Sequence, residues 1–89
     1  MAKIVASIPE MQTLESTFRN QNAQVASLTS ALDSAANSST GFWEGPAAEN
    51  FRTAWSQQFK PALDKLHLAL EEAEREVKNR WQAIEQAGS

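Results

Sequence analysis

Between residues 11 and 35 an apolar stripe falls at Met11, Leu14, Phe18, Val25, Leu28, Leu32 and Ala35, with polar Gln21 completing an alternation of three- and four-residue steps and mostly Gln, Asn, Ser, Thr and Ala between. That is an a/d heptad, the signature of an amphipathic helix that packs along one seam. Its start is readable in Ser7-Ile8-Pro9-Glu10, an S-x-x-E capping box in which the serine oxygen takes an orphan N–H. Proline in the first turn does little harm, because its missing donor would be unpaired there anyway. Asn37-Ser38-Ser39-Thr40-Gly41 ends the periodicity, and Gly41 is expected to supply a left-handed cap. The pattern predicts a first helix over about 8–38.

A second apolar stripe follows at Ala48, Phe51, Trp55, Phe59, Leu63, Leu66, Leu70, Ala73, Val77, Trp81 and Ile84. At 100° per residue these positions stay within an arc of roughly 120°. Gly45-Pro46 sets the start, with proline at or near the first helical position and Glu49 in the first turn, where an acid complements the helix dipole. The second helix is expected over about 46–86, with a kink at Pro61, which removes one backbone bond and crowds the preceding turn. Glu71, Glu74 and Glu76 each precede a basic residue by four, which reads as a solvated face. Leu68 falls on the side that should be wet.

The elements thus predict an all-α chain: two long antiparallel helices, about 45 and 60 Å long, joined by a turn over about 39–45. One domain spans 1–89. Two helices bury only one stripe each, and Trp43, Phe51, Trp55, Phe59 and Trp81 carry more apolar area than one seam hides. A second hairpin, completing an elongated four-helix bundle, is the simplest way to cover the remainder. The packing set for hairpin and dimer is Met11, Leu14, Phe18, Val25, Leu28, Leu32, Phe51, Trp55, Phe59, Leu63, Leu66, Leu70 and Val77.

Composition narrows the function. The chain has 89 residues and a formal charge of −3, which argues against a nucleic-acid partner. It has no cysteine, so disulfides and thiolate metal sites are excluded. No run approaches the ~18 apolar residues of a membrane span, and acidic balance argues against a surface-seeking helix. No stable membrane insertion is expected. The start, Met1-Ala2-Lys3-Ile4-Val5-Ala6-Ser7, lacks the apolar stretch of a cleaved leader. His67 and Glu71 have a two-ligand spacing, but a tight zinc site takes three or four ligands, so no metal or cofactor is expected and His67 reads as a surface residue. With no catalytic motif and no concave site, the chain does not read as an enzyme.

The turn carries the most specific signal. Trp43-Glu44-Gly45 is followed by Ala48, Phe51 and Trp55, at the midpoint of a glycine-poor helical pair. In these features and in its length the chain resembles the WXG, or ESAT-like, family of small helical proteins exported by type VII secretion systems. The resemblance implies a hairpin that pairs with itself or with a paralogous WXG protein. It further implies folding in the cytoplasm and export of the folded dimer, without a cleaved leader, through an FtsK/SpoIIIE-type ATPase. Such a protein acts by protein–protein interaction. Trp43, Glu44 and Gly45 would then form the turn element of the export signal. Family members usually add a Tyr-x-x-x-Asp/Glu tail; this chain has no tyrosine, and the nearest match is Trp81 with Glu85. If that substitute does not serve, the chain would supply the W-x-G while its partner supplies the tail. A different reading of the same residues is an intracellular adaptor or coiled-coil module that is never exported.

Overall fold

A computed structural model describes residues 6–88. Most of Met1–Ser7, the segment on which the expectation of no cleaved leader rests, lies outside them. Helix α1 spans Ile8–Ser38, α2 spans Pro46–Ala54 and α3 spans Lys60–Gly88. A 3₁₀ turn, Ser39–Gly41, closes α1, and a π turn, Trp55–Phe59, joins α2 to α3 in one continuous rod. That rod returns antiparallel along α1, so the hairpin measures 65 × 21 × 15 Å. The all-α hairpin expected from the two stripes is what forms.

Helix α1 begins where the cap predicts. The Ser7 hydroxyl accepts from the Glu10 N–H at 3.5 Å, and the Ser7 carbonyl accepts from the Met11 N–H at 2.9 Å. Its far end differs from expectation. Gly41 does not adopt a positive φ; among the described residues only Gly45 does, at φ 110° and ψ 177°. The helix tightens into 3₁₀ geometry instead, which satisfies its last carbonyls without a left-handed residue.

Pro61 brings about the π turn. Proline offers no N–H and crowds the carbonyl four residues back. The chain absorbs this just upstream, where the Lys60 N–H reaches the Trp55 carbonyl, five residues back. One extra residue is thereby taken into the turn. The helix continues without losing its facing row: Ala48, Trp55, Leu63, Leu70, Val77 and Ile84 step by seven except across the π turn, where the step is eight. Ala48 and Trp55 are buried and the other four half-buried.

The matching row of α1 is not its apolar stripe. The buried residues of α1 are Glu15, Asn22, Thr29 and Ala36, seven apart. Met11, Phe18 and Val25 flank this row and are half-buried, whereas Leu14, Leu28 and Leu32 are 47%, 51% and 41% exposed. The stripe read as one seam therefore divides between α3 and the outside. The reason lies in the polar row itself. Each tryptophan of the rod at the seam needs an acceptor for its indole N–H, and α1 supplies Glu15 from the buried row for Trp81 and half-buried Asp33 beside it for Trp55.

Candidate recognition surface

Three regions make up the surface: the tip, one apolar face and the C-terminal stretch of α3. At the tip, Ser39 is 5% exposed and all its polar atoms are used. Its hydroxyl donates to the Ala36 carbonyl at 2.6 Å and accepts from Arg52 at 2.7 Å. Its carbonyl accepts from the Phe42 and Trp43 N–H groups at 3.1 and 2.9 Å. Arg52 also donates to the Trp43 carbonyl at 3.0 Å. One arginine, a turn and a half into α2, thus fastens the whole connection. Neither Ser39 nor Arg52 stands out in the sequence, because nothing in the spacing announces a bond across a loop.

Trp43 then has a fixed backbone and a partly free ring. It is 37% exposed and meets Phe51 at 5.6 Å between ring centroids, tilted by 39°. Gly45 sits where the chain turns from Trp43 into α2. Its φ and ψ fall in a region that only glycine occupies without strain. The tripeptide therefore has a physical division of labour: the indole packs on Phe51 at the tip, and the glycine allows the re-entry. Glu44 is exposed. Phe42 stands out of the tip at 82% exposure.

Beside the tip, Leu32, Ala35, Phe42, Trp43, Phe51 and Trp55 line an open apolar cleft of about 310 Å³. It marks one face of the hairpin as apolar. The rows that run along this face are Leu14, Gln21, Leu28 and Ala35 on α1 and Phe51, Phe59, Leu66 and Ala73 on the rod. Phe51, Phe59 and Leu66 are 40%, 48% and 43% exposed. The opposite face is polar, with a cleft lined by Ala26, Asp33, Lys60, Asp64 and His67 among others. His67, read as a surface residue, is half-buried there, its Nε2 3.9 Å from Glu71. Among the described residues no three His, Asp or Glu side chains converge as a metal set. Leu68 is 58% exposed, as its wheel position suggests.

In the C-terminal stretch, Trp81 is half-buried and Glu85 exposed. The Trp81 indole N–H donates to Glu15 Oε1 at 2.8 Å. Glu15, 6% exposed, places its other oxygen on Arg19, and Arg19 Nε reaches Glu74 at 3.3 Å. Trp55 is held in the same way, donating to Asp33 at 2.8 Å. Of the expected pairs along α3, Glu76–Arg80 forms, while Glu74 turns to Arg19 across the seam. No described helix is long and apolar enough to cross a membrane.

The chain matches the family model "Proteins of 100 residues with WXG" over residues 3–89. No curated protein and no solved structure matches it. The family is one of small, secreted, helical, non-catalytic proteins. A hairpin whose turn sets a tryptophan at its tip, beside a glycine in a glycine-only conformation, is what those three letters describe, and the chain belongs to the WXG100 family.

Proposed function

We propose that this protein is exported as a folded dimer by a type VII secretion system and acts by binding other proteins. The observation that carries the reading is the exposed apolar face, Leu14, Leu28, Leu32, Phe51, Phe59 and Leu66, in a chain of this family. An isolated hairpin would leave that face in water, and contiguous apolar surface of this extent marks a partner site. A second hairpin, from the same chain or a paralogue, covers it and completes a four-helix bundle. Folding takes place in the cytoplasm, no leader is cleaved, and an FtsK/SpoIIIE-type ATPase drives passage.

Within this reading Trp43, Glu44 and Gly45 present the turn element. Trp81 and Glu85 form the tail element, one helical turn apart on one side of α3. Trp81 uses its N–H on Glu15, which leaves the outer ring edge and the Glu85 carboxylate for a receptor. The test is the culture supernatant of cells with and without the secretion ATPase, with this chain as the only W-x-G protein expressed. ATPase-dependent appearance is expected; retention in the cytosol in both strains points to the intracellular adaptor instead. Glu85→Gln should lower export with little change in melting temperature, since exposed helix-end substitutions rarely exceed ~0.5 kcal/mol. Unchanged export would remove the tail from the mechanism.

A further inference from the structure

We infer that the occupant of the apolar face is a second copy of this chain, docked antiparallel with the two Gln21 side chains facing each other on the two-fold axis. The inference rests on the dimer reading above and names its partner and register. The hairpin is 65 × 21 Å at its broadest, and Leu14, Leu28, Leu32, Phe51, Phe59 and Leu66 are exposed along that length, so there is room on one side for the ~800 Å² per partner of a stable interface. Symmetry then selects the register. In an isologous contact each residue meets its mirror position about the axis. The outward row of α1 reads Leu14, Gln21, Leu28, Ala35, all exposed, with Gln21 its one polar member and near the middle of Ile8–Ser38.

An axis at Gln21 sets Leu14 of one copy on Leu28 of the other, twice, and leaves the amides opposite each other. A primary amide carries both donors and an acceptor, so it is one of the few side chains that can satisfy its own copy. Moving the axis half a heptad toward the tip places each Gln21 against Leu28. Moving it a full heptad places Gln21 against Ala35. Both alternatives bury an unpartnered amide, at a cost that a polar residue in an apolar seam is known to turn into register choice. The near-central place of Gln21 also gives overlap along almost the full hairpin, so the polar position sits where self-pairing needs it.

The chain has no cysteine, which makes single-cysteine crosslinking clean. Gln21→Cys, purified alone and mildly oxidised, should link to itself nearly completely, because opposed Cα atoms at a helix crossing come within disulfide reach of ~6 Å. Differently tagged Leu14→Cys and Leu28→Cys, mixed before oxidation, should give the mixed disulfide well in excess of either self-disulfide. Ser30→Cys, on the polar side of α1, should give neither. Gln21→Glu should weaken the dimer roughly tenfold or more by setting like charges on the axis, with helical content retained in circular dichroism. A folded wild-type hairpin that light scattering finds monomeric overturns the inference together with the dimer reading. A dimer in which Gln21→Cys stays unlinked, or Ser30→Cys links equally well, overturns the register alone. Either result is independent of whether the protein is exported.

Discussion

Trp81→Phe isolates one bond of the seam. Phenylalanine keeps most of the ring on the packing arc but removes the N–H that reaches Glu15 Oε1 at 2.8 Å. Glu15 is 6% exposed, so water cannot readily replace the lost donor, while its second oxygen keeps Arg19. A hydrogen bond to a carboxylate contributes ~1.5–3 kcal/mol. Half-burial of Trp81 puts this one near the lower end, at about 1.5–2 kcal/mol. For a chain of this length the melting temperature should fall by roughly 6–12 °C, read by circular dichroism at fixed protein concentration. Glu15→Ala and the double variant complete a cycle whose coupling should be about 1.5 kcal/mol. Amide exchange at residues 78–88 should accelerate in both single variants, since the bond ties that end of α3 to α1. A coupling below about 0.5 kcal/mol, or an unmoved melting temperature in Trp81→Phe, would refute the claim that this bond fastens the hairpin's open end.

Gly45→Ala should destabilise by about 1–3 kcal/mol, the strain of holding a side chain in glycine's region, although no atom lies within 4 Å of the added carbon. Gly41→Ala, equally unobstructed and without a positive φ, should stay within ~0.5 kcal/mol of wild type; urea melts of the two decide whether conformation or space is at issue. Asn22 is 5% exposed and its Oδ1 has no hydrogen-bond partner, so Asn22→Leu should stabilise by about 1 kcal/mol; a drop in the denaturant midpoint would show the amide to be structural. Trp43→Ala should lower stability by only ~1–2 kcal/mol, less than the 3–5 of a buried tryptophan, yet strongly reduce export. Unfolding of that variant in the cytosol would make Trp43 a core residue.

The hairpin is legible in the sequence because period and punctuation agree: two helical stripes, a capping serine and one proline-led restart. What periodicity cannot say is which neighbour a stripe faces. The most regular apolar row of α1 points half outward, and the row that packs on α3 contains Glu15, Asn22 and Thr29. A further signal could have exposed part of this. Trp55 and Trp81 on the rod's inner arc each require an acceptor, and Asp33 and Glu15 are two of only three acids between residues 8 and 38. Arg52 and Ser39 were out of reach, since their bond closes across the loop and depends on the 3₁₀ turn that also displaced the cap expected at Gly41.

The π turn makes the tip and the shaft of the hairpin a keyed pair. Removing one residue from Ser56-Gln57-Gln58 would give a more regular helix by every local measure. It would also turn α2 by about 100° relative to α3, and with α1 held on α3 this swings Ala48 off α1 and carries Arg52 away from Ser39. Sequence length here behaves as a phase setting. An insertion or deletion of a single residue between Trp55 and Pro61 acts on the aim of the W-x-G turn relative to the tail, a quantity that no substitution in either element can restore.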